Sequence, residues 1–290
     1  MNRRKFLAGS AGGVFTTAQT TLGSSPPQGN TTSPNPSARP VVIDAHVHFG
    51  YMGMWGQRDI SFEDTLSAAD EAGIDKLCVS SIEAIELEME QGNKAIHQLM
   101  KQYPDRVIGF ATMPAPYFGK RGIEEIQRAV EVYGMKGVGE LETTPSYPID
   151  IPQWIAVLQK AADLKVPVLV HGPPGPCARA AERVPEATLV LAHIGTGWGV
   201  AVGEWLDAIE MAKTHPNVYL ETCTSITAYG QIEMAVKELG PERIVFGTDS
   251  PLLDPAVMKA KITGADISAE ARQHILGPNM ARLLNMATVA

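Results

Sequence analysis

The sequence predicts an α/β fold, a (β/α)8 barrel of the TIM type. Eight short runs rich in Val, Ile and Leu alternate with segments of 3.6-residue periodicity, the signature of repeated βα units and a parallel sheet. Residues 41–290 match the roughly 250 residues typical of such a barrel. No GxGxxG follows the first apolar run, which counts against the open, doubly wound dinucleotide fold. The runs begin about 22–35 residues apart, a spacing that suits a closed barrel better than an open sheet.

The elements follow in order. Residues 1–18 place Arg3-Arg4-Lys5 before Phe6-Leu7 and a weakly apolar Gly/Ala/Thr stretch, the pattern of a twin-arginine export signal. Residues 19–40 are Ser, Thr, Pro, Gly, Asn and Gln with little apolar content, as in a flexible linker. The barrel then occupies 41–290. Its strand-like runs start near Val41, Lys76, Arg106, Lys136, Val166, Thr188, Asn217 and Arg243. Helical periodicity covers Phe62–Ala72, Asn93–Tyr103, Gly122–Tyr133, Trp154–Leu164, Val200–Thr214 and Gln231–Leu239. Tyr103-Pro104-Asp105 and His215-Pro216-Asn217 stop two of these helices, and Ser268–Met286 reads as a closing helix.

Composition narrows the class of function. With 24 basic and 32 acidic residues the net charge is −8, and loss of residues 1–18 would make it −11. An acidic surface argues against nucleic acid as a partner. No run approaches the roughly 20 apolar residues of a membrane span, so no stable membrane anchor is expected. The three cysteines, Cys78, Cys177 and Cys223, form no disulfide framework and read as free, buried thiols. Nothing in the chain fixes an oligomeric state.

The chemistry-bearing residues fall at the ends of strands, where barrel enzymes keep their active sites. The first run ends Asp44-Ala45-His46-Val47-His48, and period-two alternation puts His46 and His48 on one face. The fifth ends at His171, the sixth at His193 and the eighth at Asp249. Imidazoles with a carboxylate suit zinc, and also manganese, iron or nickel. Strand 4 carries Glu140, which alternation places with Val138 and Glu142 opposite Gly137, Gly139 and Leu141; the two glycines suggest close helix packing on their face. Glu221, after the seventh run, reads as mainly structural. Arg179 reads first as a solvated charge at a helix start, with a clamp for a substrate carboxylate as the functional alternative. The loop Phe49–Arg58, with Tyr51, Met52, Met54, Trp55 and Arg58, is a candidate pocket wall. His97, His215 and His274 lie on helical segments and read as surface residues.

Taken together, Ile43–His48, Val170-His171-Gly172, Ala192-His193-Ile194-Gly195, Phe246–Pro251 and the closing Ile275–Leu284 resemble the amidohydrolase superfamily, in particular its amidohydrolase-related branch of hydrolases and decarboxylases. The resemblance implies that His46, His48, His171 and Asp249 bind a divalent metal ion, zinc by expectation, with Asp249 as general base and His193 beside the ion. It implies a metal-dependent hydrolase of a small organic substrate with an amide, lactone or similar bond. A non-oxidative decarboxylase on the same site is the alternative, and a non-catalytic metal-bearing binding protein a third. Relatives with one ion usually lack an acid on strand 4, whereas TatD-type nucleases bridge two ions with a Glu placed much like Glu140. The nearer resemblance favours one ion. In the two-ion alternative His171 and His193 hold a second ion beside one on His46, His48 and Asp249.

Overall fold

A computed structural model describes residues 39–51, 60–115, 119–196 and 204–286. The expected export signal, nearly all of the expected linker, and Met52, Met54, Trp55 and Arg58 lie outside the described residues. Eight parallel strands pair in sequence order: β1 Ile43–Phe49, β2 Lys76–Ser81, β3 Val107–Ala111, β4 Gly137–Glu142, β5 Val168–His171, β6 Leu189–Leu191, β7 Val218–Glu221 and β8 Ile244–Val245. Backbone hydrogen bonds bring the last strand round to the first. Ala45 N donates to Phe246 O (2.9 Å), His48 N to Ser250 O (2.8 Å) and Asp249 N to His46 O (2.8 Å). Parallel neighbours joined by crossover helices and closed in this way make the expected (β/α)8 barrel.

The helices are α1 Phe62–Glu71, α2 Ile82–Glu86, α3 Met89–Gln102, α4 Gly119–Glu131, α5 Pro152–Leu164, α6 Pro174–Arg183, α7 Glu204–Thr214, α8 Gln231–Leu239, α9 Pro255–Thr263, α10 Ala269–Leu276 and α11 Pro278–Leu283. Local chemistry sets their starts. Ser61 and Asp64 form a reciprocal capping box on α1, and Asp254 and Ser268 cap α9 and α10. The expected Ser268–Met286 helix is broken in two at Gly277, whose position is so close to Val41 O that a Cβ would overlap it. Three helices had no expectation, α2, α6 and α9; α9 is a short segment between the eighth strand and the closing helix. The first of these is only a turn and a half long, and the second begins Pro-Gly-Pro, which reads as a loop.

Two apolar layers sandwich the strands. Val47, Val79, Val138, Leu141, Val170 and Leu220 pack outward on helix residues such as Leu66, Ile126 and Leu158. Ile43, Ala45, Cys78, Ile108, Phe110, Leu169, Val190 and Val245 fill the inside together with Met280 and Leu284.

Two strands break the simple alternation, and both breaks matter. In β1 the pairing register shifts between Asp44 and Val47, and in β4 between Val138 and Leu141. Val138 and Leu141 both face outward, three residues apart. The alternation expected to put Val138 and Glu140 on one face therefore fails, and the irregularity turns Glu140 inward. The glycines serve neighbouring strands, not helices. A Cβ on Gly137 would strike the Phe110 ring, and one on Gly139 (φ 112°) would strike Leu169 O.

Candidate metal centre

At the C-terminal ends of the strands a buried polar cluster replaces the apolar filling. His46 and His48 come from β1, Glu140 from β4 and His171 from the last position of β5. The expected strand ending at His193 stops early, at Leu191. His193 and Ile194 lie in a 3₁₀ turn, Ala192–Gly195, with left-handed φ values of 57° and 49°. The cause is visible: His193 N donates to the Glu221 carboxylate (Oε2, 3.1 Å) instead of continuing the ladder. The eighth strand is likewise shorter than the expected Arg243–Thr248. Asp44 Oδ1 and Oδ2 take the Thr248 N–H (2.9 Å) and hydroxyl (2.5 Å), and Asp249 follows at φ 58°. Left-handed backbone at non-glycine residues is costly, and here it sits at the ends of two strands that present polar side chains.

Glu140 is the centre of the cluster. Its Oε2 lies 3.2 Å from His46 Nε2 and 3.3 Å from His48 Nε2. Its Oε1 lies 3.1 Å from His171 Nδ1 and 3.3 Å from His193 Nε2. Asp249 Oδ1 adds to the first pair, 3.2 Å from His48 Nε2 and 3.7 Å from His46 Nε2. Each carboxylate oxygen of Glu140 thus faces its own pair of imidazole nitrogens.

The chemistry of this donor set fits divalent cations. His46 Nδ1 points at Glu221 Oε2 (3.3 Å), so its proton belongs on Nδ1 and its Nε2 is a bare acceptor. That nitrogen lies 3.0 Å from His48 Nε2 and beside two carboxylate oxygens. Acceptors crowded in a buried site need positive charge between them, as an ion or as protons. The groups respond accordingly. Burial opposes a charged ring, yet the Asp249 and Glu140 carboxylates push His48 up to about 9. Burial likewise disfavours charge on His46 and His171, but Glu140 raises both. Burial would raise the Glu140 carboxyl, and the His46 and His171 rings outweigh it and hold it well below the usual range. Asp249 is also held low against burial, by His48 first. Cys223, by contrast, is pushed well up by burial and by Glu221, as a protonated thiol.

Three partners escaped the sequence reading. Ser80 Oγ lies 3.1 Å from His48 Nδ1. Cys223 Sγ lies 3.1 Å from His193 Nδ1 and donates to Glu221 Oε2 (2.9 Å). Thr112 Oγ1 donates to Glu140 O (2.7 Å) and secures the bulge. Only their places just past or at strand ends could have marked them. Glu221 is fully buried against His46 and His193, so its structural role is exercised on the cluster itself. Arg179, the candidate clamp, lies within α6 with Nε on Asp150 Oδ2 (2.6 Å) and is not among the groups around Glu140. Tyr51 is exposed. His97 stacks on Tyr133, and His215 lies against Met211 O, outside the cluster; His274, on α10, is half-buried.

The chain belongs to the amidohydrolase family, whose family model matches residues 43–286. No curated protein matches it. Among solved structures it is similar to 5-carboxyvanillate decarboxylase from Sphingomonas paucimobilis, at 14% identity and TM-score 0.66, covering 85% of this chain and 99% of that one. A dihydroxybenzoic acid decarboxylase from Polaromonas sp., with bound manganese and the inhibitor 2-nitroresorcinol, matches at 17% identity and TM-score 0.64, covering 85% and 97%. An uncharacterised TIM-barrel protein from Bordetella bronchiseptica matches at 17% identity and TM-score 0.67, covering 84% and 98%. At these identities the likeness is one of fold.

Proposed function

We propose that the protein is a metal-dependent hydrolase of a small organic substrate with an amide, lactone or similar bond, in which His46, His48 and Asp249 would hold one divalent ion, His171 and His193 a second, and Glu140 would serve both. The observation that carries this reading is the division of the Glu140 carboxylate between His46 with His48 and His171 with His193. The expectation of a single ion rested on family resemblance, and the inward position of Glu140 speaks against it. Nitrogen and oxygen donors suit zinc or manganese, and zinc is the ion carried forward.

When bound, such ions supply a water of lowered pKa and polarise a substrate oxygen. The protein's own groups do the rest. Glu140 and the four imidazoles hold the centre, and their burial excludes bulk water. Asp249 sets Oδ1 beside His48 Nε2, where the two would hold one ion, and has a second oxygen to take a proton from water and return it to the leaving group.

A decarboxylase on the same site is the second reading, favoured by the decarboxylases among the similar folds. The two separate in one experiment. Metal-loaded protein is offered lactones, amides and esters beside hydroxylated aromatic acids, with acid release and carbon dioxide release followed in parallel. Hydrolysis without carbon dioxide is expected; carbon dioxide from the aromatic acids alone would overturn the hydrolase reading.

Export by the twin-arginine route is part of the proposal, supported by Arg3-Arg4 and Phe6-Leu7. Changing Arg3 and Arg4 together to Lys should leave folded protein in the cytoplasm. Fractionation showing continued export would refute it.

A further inference from the structure

We infer that Glu221 and Cys223 are positioning residues that hold His46 and His193, one from each half of the centre, in the tautomer that turns Nε2 toward the ions; this rests on the reading that both rings are ligands. Four donors converge on the Glu221 carboxylate. Its Oε2 accepts from His46 Nδ1 (3.3 Å), from His193 N (3.1 Å) and from Cys223 Sγ (2.9 Å), and its Oε1 accepts from Cys223 N. The thiol donates to Glu221, so its sulfur lone pairs remain to accept from His193 Nδ1 at 3.1 Å. The protons therefore run in one consistent order, from His193 Nδ1 to Cys223 Sγ and from there to Glu221 Oε2, which also takes the proton of His46 Nδ1. With both Nδ1 atoms protonated, both Nε2 atoms are bare toward Glu140. Metal-bound imidazoles are ordinarily held this way, by an acceptor on the far nitrogen.

The arrangement is built closely. Glu221 and Cys223 are both fully buried. A Cβ on Gly247 would overlap the Glu221 carboxylate, so glycine there makes room for it. The same four side chains, His46, His193, Glu221 and Cys223, also lie near enough to surround a further ion. That occupancy would need both histidines stripped of both ring protons while Nε2 served the centre, which the hydrogen-bonded order avoids.

The test uses the full-length metalloprotein and three variants: Cys223→Ser, Cys223→Ala and Glu221→Gln. A serine hydroxyl donates to Glu221 and accepts from His193 as the thiol does, while alanine does neither. The glutamine amide would set a donor against converging donors. Metal affinity by chelator competition should fall roughly 10–100-fold in Cys223→Ala and Glu221→Gln and recover to within about threefold of wild type in Cys223→Ser. Ring-nitrogen NMR of the zinc-loaded protein should show protonated Nδ1 on His46 and His193 in wild type and in Cys223→Ser. Turnover of any hydrolysed substrate should lose kcat with KM little changed. Equal metal affinity in Ala, Ser and wild type would overturn the inference. So would a thiolate-to-metal charge-transfer band in the cobalt-substituted protein that vanishes in Cys223→Ser, since Cys223 would then be a ligand. Wild-type protein that binds no metal would instead refute the metalloenzyme reading beneath it.

Discussion

The two halves of the centre are built to different standards. His46 and His48 stand on β1, and each ring is tied through Nδ1, to Glu221 at 3.3 Å and to Ser80 at 3.1 Å. Their side chains are 0% and 3% exposed. The Asp44 carboxylate binds Thr248 and His46 N and so locks β1 to the segment carrying Asp249. His171 and His193, at 7% and 10% exposed, are held less completely. His171 Nε2 is buried with no partner, and His193 sits on a left-handed turn. The difference teaches that the first half is pre-organised by its surroundings, while the second depends on Glu140 and Cys223. An ion on the first half should bind more tightly, and the second should be the first lost to a chelator.

The largest break in that comparison is removal of a first-half ligand. His46→Ala or His48→Ala should abolish activity and cost metal affinity beyond the roughly 10–100-fold that follows loss of an outer partner. Elemental analysis with wild-type metal content in both variants would show that β1 does not hold the ion. Asp249→Asn separates ion holding from proton handling. The amide keeps an oxygen for the metal but cannot take a proton, so turnover should fall by about 10²–10⁴ with most metal retained. Near-normal turnover would remove Asp249 from the base role.

A smaller effect sharpens the electrostatics of the first half. With His48 pushed up to about 9, its ring carries a proton below that pH in the metal-free protein. An incoming cation must displace that proton. Metal binding at about pH 7.5 should therefore release protons and tighten as pH rises toward 9. Calorimetry in buffers of different ionisation enthalpy measures the release; no buffer dependence would contradict it.

How much of this was legible in the sequence differs between the same two halves. His46 and His48 were readable because the His-x-His spacing survives the register shift beside it, and Asp249 because it ends an apolar run. The barrel was readable from periodicity alone, since eight apolar runs must each be covered by a helix. The inward turn of Glu140 was reached by the wrong route: alternation assigned it to the face of Val138, and a bulge put it inside. A bulge shifts the phase of the alternation by one residue, and in a strand of six residues that shift is too short a signal to place. The turn that presents His193 and the thiol of Cys223 were invisible for another reason. The turn depends on Glu221 and the thiol's role on His193, contacts made between strands by residues far apart in the chain. Arg179, weighed both as a clamp and as a charge at a helix start, lies in α6 with Asp150 for a partner.

The central claim is that Glu140 joins two unequal halves into one two-ion centre. Metal content per chain, measured in wild type and in Glu140→Gln after loading with zinc and removal of excess, tests it most directly. The account predicts two ions in wild type and one in the variant, the remaining ion on His46, His48 and Asp249. One ion in both proteins would contradict it.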